Sequence, residues 1–265
     1  MPKVSIIMGA YNCAGVVGKA IESIQSQTFE DWEFIICDDC SKDDTYKVVK
    51  EYADKDSRII LIKNEQNSRL AYTLNHCLSV AAGEYVARMD ADDISMPDRL
   101  EKQVAFLDAH PEYAVVGSGV MLYDDSGDKQ VLLNTEVPVV WEMKHGVPFF
   151  HPTIMMRHDV YKDLKGYVVS GRTRRGQDMD MWFRFFAKGY KGYNMQEPLL
   201  KYHDDLSDYR KKSSWSMAWG TTRTLYLGFK ANHFPFYDYV WTLVPLVTAC
   251  LPKSIVYSIH NKCVK

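Results

Sequence analysis

Three carboxylate clusters in this chain fall where short apolar runs give way to polar residues. IICDDCSKDD (35–44) holds Asp38 and Asp39, ARMDADD (87–93) holds Asp90, Asp92 and Asp93, and GQDMDMWFR (176–184) holds Asp178 and Asp180. The D-x-D spacing of Asp90 and Asp92 puts two carboxylates on one side of an extended backbone. Such a pair suits a hard divalent cation that also takes phosphate oxygens, as Mg²⁺ does. The first cluster offers a second chemistry, because Cys37 and Cys40 form a C-x-x-C pair. A structural zinc site needs four ligands, and Cys13, Cys77, Cys250 and Cys263 each stand alone. A redox pair needs an exposed leading thiol at a helix start, whereas Cys37 closes an apolar run and should be buried. The chemistry is therefore assigned to the carboxylates.

Strand and helix patterns alternate around these clusters. Apolar runs at Val4–Met8, Trp32–Cys37, Ile59–Ile62 and Tyr85–Met89 read as strands. Helical spacing follows at Val17–Ile24, around Val48 to Tyr52, at Leu70–Ala81 and through MPDRLEKQVAFLDAHP, with Pro97 near its start and Pro111 after its end. Alternation with short connections predicts an α/β fold with a parallel, doubly wound sheet, whose ligands bind beyond the carboxyl ends of the strands. Tyr11, Asn12, Asp38, Asp39 and the Asp90–Asp93 cluster occupy those ends. No βα turn has the glycine pattern of a dinucleotide fold or a P-loop. Trp182, Phe185 and Phe186 are expected to anchor the helix that begins near Asp178.

The chain has 265 residues, 46% of them hydrophobic, enough for one large domain with an appendage. Its net charge of −2 gives no case for nucleic acid, but the charge is uneven. From residue 210 onward eight basic residues face a single acid, Asp238, which leaves an acidic body and points the tail toward an anionic surface. Aromatic and basic residues flank the short apolar segments of this tail, and the run from Tyr239 to Leu251 is broken by Pro245. This composition suits helices lying in a membrane interface, too short to span it. Trp215, Trp219, Tyr226 and Phe229 are expected on one helical side. The expected division is a catalytic unit at 1–209 and a basic, aromatic helical extension at 210–265. That extension would bind a membrane surface, the enzyme body or a second subunit. Six irregularly placed cysteines and an N-terminus without a signal-peptide layout suggest a reducing, cytoplasmic setting at the inner face of the plasma membrane.

VSIIMGAYN, SIQSQTFEDWEFIICDDCSKDDT, AAGEYVARMDADD, MPDRLEKQVAFL, HPTIMMR and GQDMDMWFR occur in this order between about residues 3 and 205. Together they resemble the inverting family 2 glycosyltransferases of bacterial surface-polysaccharide type, which have the GT-A fold. The resemblance implies a nucleotide-diphosphate sugar donor, most naturally a UDP-sugar, an Mn²⁺ or Mg²⁺ ion, and a saccharide or lipid-linked acceptor. It implies that Tyr11 stacks on the base, Asp39 accepts a hydrogen bond from it, and Asp90 holds the ribose or metal. Asp92 would ligate the metal, with His203 beside it. Asp178 would be the catalytic base, although Gln177 replaces the Glu of the usual Glu-Asp pair and Asp180 lies close by. Apart from the resemblance, Arg69 reads as a contact to the donor diphosphate or as a solvated turn residue. His151 is expected to start a strand on the acceptor side, in a structural role before a catalytic one, and the basic loop with Arg172, Arg174 and Arg175 is read either as contacting an acceptor phosphate or as a mobile surface loop. The chemistry asks for the same groups: an ionised carboxylate can take the proton of an attacking hydroxyl, and a cation can offset charge on a departing diphosphate. A sugar-phosphate nucleotidyltransferase would open with a cationic glycine-rich loop, which MGAYNCAG lacks. Gln177 is the only feature favouring a weakly catalytic, sugar-nucleotide-binding scaffold.

Overall fold

The computed structural model describes residues 1–124, 126–203 and 215–251. Four strands, β1 (Val4–Ala10), β2 (Trp32–Asp38), β3 (Ile59–Lys63) and β4 (Tyr85–Arg88), pair in parallel in the order β3-β2-β1-β4. The helices α1 (Val17–Gln25), α2 (Thr45–Ala53) and α3 (Arg69–Val80) connect them. β1 and β2 are buried almost throughout because both sheet faces are covered, which is why their sequences run apolar rather than alternating. The chain leaves β1 toward one edge and returns on its other side at β4, so the crevice between them is a topological switch point.

Beyond β4 the sheet turns from parallel to mixed pairing. β5 (Ile94–Ser95) and α4 (Arg99–Ala109) follow, then the long β6 (Val115–Asp124), β7 (Gly127–Leu132), β8 (Met155–Arg157) and β9 (Gly192–His203). β8 runs antiparallel to both β4 and β6, β9 runs parallel to β6, and β5 and β7 pair antiparallel with β9 and β6. The sheet is thus mixed, with α5 (His158–Asp163) and α6 (Gln177–Ala187) packed around its second half. Two apolar clusters lie on its opposite faces. One holds Ile6, Met8, Phe34 and Leu100, the other Ile7, Ile35, Trp182 and Phe185. Trp182 and Phe185 are fully buried, as their expected anchoring role requires.

In the C-terminal region, α7 (Trp215–Ala231) packs against α6, and α8 (Val244–Cys250) follows a 3-10 segment at Phe236–Leu243. Gly220 passes so close to the Arg172 carbonyl that a Cβ would lie 3.0 Å from it. Gly228 presses on the Phe183 ring, where a side chain would clash outright. This approach draws Phe229 into the core, stacked on Phe234 at 4.2 Å, instead of leaving it beside Trp215, Trp219 and Tyr226 as the helical spacing suggested. The expected boundary near residue 209 lies outside the described residues. So do most of the tail's basic residues; Arg223 and Lys230 are described. No described helix is long and apolar enough to cross a membrane.

Candidate active site

The loops after β1 and β2 are tied together by the polar residues of SKDDT. Asn12 donates its backbone N–H to Ser41 Oγ at 3.0 Å, and its side-chain oxygen accepts from Lys42 N at 2.8 Å. Asp38 is buried and accepts from Ser41 N, while Asp43 holds Thr45 through its backbone and hydroxyl. Cys37 is buried with its thiol on Asn64, so the C-x-x-C pair presents no exposed leading thiol. Asn12 (φ 49°), Cys40 (φ 58°) and Arg69 (φ 71°) all take left-handed backbone, a concentration of strain at the carboxyl edge of the sheet. Tyr11, 44% exposed, stands at the lip of this edge with its ring free of aromatic neighbours among the described residues.

Asp39 does more than wait for a ligand. Its Oδ1 accepts from Asn64 Nδ2 at 2.8 Å and Ser68 N at 2.7 Å, and its Oδ2 accepts from Arg69 N at 2.8 Å. The carboxylate thereby satisfies orphan donors at the start of α3, which no side chain of Ser68 caps. Of its roughly four lone-pair sites, three are taken, leaving one on Oδ2. The Arg69 side chain itself is exposed.

The residues after β4 form a concentrated negative pocket beside two buried guanidinium groups. Arg88, 1% exposed, donates to Asp90 Oδ1 at 2.5 Å and to the Met89 carbonyl, leaving its Nε without a partner. Burial opposes the guanidinium charge, but Asp90 and the Tyr167 and Tyr161 phenols act the other way, and the net shift is upward. Arg99, also fully buried, donates to the Arg88 carbonyl at 2.8 Å and fixes the strand end from behind. Asp92 stands exposed at the rim, its acidity weakened first by desolvation and then by Asp90, with the His203 charge opposing. Asp93 is buried, accepts from His203 N at 3.2 Å and leaves Oδ2 unpartnered; burial, Asp90 and Asp92 push it well above the usual carboxylate range. The His203 ring meets Tyr123 edge-on at 5.2 Å.

Asp90 raises the pKa of both Asp92 and Asp93, so the three crowded carboxylates suit a divalent cation. Among the described residues no set of three His, Cys, Asp or Glu side chains could hold a metal alone. The donor set therefore suits an ion completed by ligand oxygens, as expected where phosphate supplies part of the shell.

Asp178, at the start of α6, lies within electrostatic reach of Asp90 and Arg88. Gly176, at φ 105°, supplies the left-handed turn before the helix, and Asp178 Oδ1 accepts from Met179 N at 2.8 Å. Desolvation raises the Asp178 pKa and Asp90 adds to it, while Arg88 acts against it. The Arg88 and Asp90 charges thus act directly on Asp178. Asp180, one half-turn on, is buried with one carboxylate oxygen on Arg172 and the other on Arg184. The geometry favours Asp178 over Asp180 as the residue able to receive a proton.

Two expectations change at the acceptor side. His151 does not open a strand facing an acceptor. It sits in a 3-10 turn, 7% exposed, with Nε2 on the Tyr167 hydroxyl at 2.8 Å and its ring edge-on to Trp182. Burial, with the Arg88 charge, holds its pKa well below the usual value, so it remains a neutral packing residue behind the pocket. Arg172 is committed to Asp180, whereas Arg174 and Arg175 are exposed. Arg88 was missed by sequence reasoning. Its only signal was a basic residue inside an apolar strand two positions before the D-x-D, which implies a buried counter-ion.

Glycosyl transferase family 2 matches residues 5–175 of the chain. EpsE of Bacillus subtilis (strain 168), provisionally named a glycosyltransferase, is 46% identical over 262 residues, covering 98% of this chain and 94% of EpsE. The O-antigen biosynthesis glycosyltransferase WbnJ of Escherichia coli is 30% identical over 208 residues, 75% of this chain and 78% of WbnJ. Among solved structures, S. aureus TarS 1-349 in complex with UDP-GlcNAc superposes with a TM-score of 0.68 at 18% identity, over 95% of this chain and 68% of that one. The chain covers 44% of the longer TarS structure. With the family match and these relatives in hand, the mixed sheet and its carboxylate-lined switch point place this chain in glycosyltransferase family 2, on the GT-A fold.

Proposed function

We propose that the protein is a metal-dependent, inverting glycosyltransferase that moves a sugar from a UDP-linked donor to a hydroxyl of a saccharide or lipid-linked acceptor during surface-polysaccharide synthesis. The observation that carries this reading is the convergence of Asp178 with the Asp90–Asp93 pocket around Arg88. Asp90 and Arg88 act on both Asp178 and Asp92, while the two carboxylates keep different partners. Asp178 would accept the proton of the acceptor hydroxyl as it attacks the face of the sugar opposite the diphosphate, so a single displacement inverts the anomeric centre. A bound Mn²⁺ or Mg²⁺, held by Asp92 with His203 beside it, would supply positive charge to the diphosphate. A Mn²⁺ complex of the Pyrobaculum calidifontis mannosyltransferase PcManGT, a fold neighbour with a TM-score of 0.63, supports the cation.

Its donor in that complex is GDP-Man, so the base must be tested rather than assumed. Uracil N3–H can donate to the one remaining lone pair on Asp39, whereas cytosine N3 is an acceptor and would face the carboxylate unpaired. A charged hydrogen bond lost there costs about 1.5–3 kcal/mol, so UDP should bind roughly tenfold to more than a hundredfold tighter than CDP in calorimetry with Mn²⁺. Asp39 also builds the α3 terminus, so the ligand must be varied and not the residue. Equal affinities would remove the base assignment, and tighter GDP binding would replace uridine with guanosine.

The C-terminal helices support attachment to an anionic membrane surface at the inner leaflet. Trp215 and Trp219 are each more than 60% exposed, and Phe236 is 88% exposed. A chain ending near Tyr209 would be a poor probe, because α7 covers Phe183 and contributes Phe229 to the core. Phe236→Ser with Tyr237→Ser in the full chain is the cleaner test. We expect the variant to lose co-sedimentation with phosphatidylglycerol vesicles while remaining folded. Unchanged vesicle binding with altered sedimentation velocity would instead assign this face to a homodimer.

A further inference from the structure

Asp39 leans on a buried amide whose hydrogen-bonding positions are all filled. Asn64 follows β3, and its backbone N–H donates to the Asp38 carbonyl at 2.9 Å. Its Nδ2 donates to Asp39 Oδ1 at 2.8 Å and to Thr73 Oγ1 at 3.0 Å. Its Oδ1 meets His76 Nδ1 at 2.8 Å and the Cys37 thiol at 3.4 Å. An amide turned over exchanges its donor and acceptor ends, so its orientation has to follow from its partners. Two of them decide it here. A carboxylate oxygen accepts, and Thr73 already gives its one hydroxyl proton to the Arg69 carbonyl at 3.0 Å. Both therefore need the NH2 end of Asn64. The amide oxygen faces His76 and Cys37, and His76 has to carry a proton on Nδ1 to meet it.

This relay of donors ends on the carboxylate assigned to the donor base. Asn64 Nδ2 and Ser68 N fill Asp39 Oδ1, so the open lone pair falls on Oδ2, beside Arg69 N. α3 grips the assembly twice. Backbone N–H groups at its start hold Asp39, and Thr73 and His76, three residues apart on one helical side, hold Asn64. An amide turned over would set its oxygen against Asp39 Oδ1 and push the carboxylate off this setting. We propose that His76 is a positioning residue for donor-base selection, acting through Asn64 to hold Asp39 with one oxygen open to a ring N–H. The inference rests on the reading of Asp39 as the base contact and deepens it. Uracil is accepted because the open lone pair is fixed toward it, and cytosine is refused because Asp39 cannot turn aside from an opposing acceptor. Losing the His76 Nδ1–H relaxes the acceptance and the refusal together.

Calorimetry on the full chain with UDP and with CDP, each beside Mn²⁺, reads the ratio of the two affinities. His76→Leu should narrow the parent's preference for UDP by about three- to tenfold, the range of one neutral hydrogen bond. His76→Asn places an amide N–H where Nδ1–H stood and should bring the ratio back to within about twofold of the parent. A residue that merely packs would weaken both nucleotides alike, so an unchanged ratio in a folded His76→Leu chain overturns the proposal. A thermal melt identifies a variant that fails to fold. Thr73→Val then carries the comparison, because it removes the acceptor that orients the amide, and it too should narrow the ratio. Nitrogen NMR on the ¹⁵N-labelled parent gives an independent reading. A proton on His76 Nδ1 is expected, and a proton confined to Nε2 overturns the proposal. Failure of the underlying reading shows differently: a parent that binds UDP and CDP equally removes Asp39 as the base contact, and the proposal with it. A parent that discriminates, beside a His76→Leu chain that discriminates as well, removes the proposal alone.

Discussion

Asp178→Asn is expected to lower transfer by about 10²–10⁴-fold, the usual contribution of a general base, while UDP binding with Mn²⁺ changes little. Asparagine keeps an oxygen for the Met179 N–H, so the start of α6 is preserved while the proton acceptor is lost. The fold should not suffer either. Desolvation raises the Asp178 pKa, so its ionised form is disfavoured in the folded state, and this residue lowers stability as pH rises above its unfolded pKa of about 4. A neutral isostere removes that penalty, and the variant should melt no lower than the parent at neutral pH. The same shift sets the acid limb of activity. The base works only when ionised, so kcat/KM of the parent should fall with decreasing pH at a point above the ordinary aspartate value. Retention of more than a few per cent of transfer would remove Asp178 from the base role. Asp180 would be a poor replacement, because its two oxygens already serve Arg172 and Arg184.

What the sequence made legible was local. β1 to β4 and α1 to α4 fall where apolar period and helix punctuation placed them, since each βα unit carries its own pattern and short turns. The mixed half of the sheet was not legible. β8 has three residues, β9 shifts register around Pro198, and neither pattern names the strand it pairs with. The strand-end carboxylates were found because a parallel sheet exposes its carboxyl edge. Their division of labour was not, because it depends on contacts across the fold. Asp39 met the α3 terminus from 29 and 30 residues away, and His151 was buried by Tyr167 and Trp182. Arg88 looked like one more basic residue until the structure enclosed it.

That enclosure makes neighbouring aspartates behave differently on mutation, and this is the second large effect. Asp92 is exposed and repelled by Asp90, so Asp92→Ala removes a carboxylate the fold does not need. Its melting temperature should match or exceed the parent's, as surface changes usually fall within about 0.5 kcal/mol. Metal-dependent binding of UDP should nevertheless disappear, because Asp92 is the carboxylate proposed to hold the cation. Asp90→Ala is expected to fail for another reason. It strips the counter-ion from Arg88, which is 1% exposed and already has an unpartnered Nε. Breaking such a pair from one side costs about 3–5 kcal/mol, and the low end applies because Asp90 itself is 32% exposed. Substituting Arg88→Met as well should recover much of that stability without restoring activity. Denaturant melts of the three variants beside UDP calorimetry with Mn²⁺ decide the matter. If Asp90→Ala is as stable as Asp92→Ala, Arg88 finds other compensation and is not the organising charge of the pocket. If Asp92→Ala keeps metal-dependent binding, the cation is held by Asp90 or Asp93 and the assignment moves inward along the same strand end.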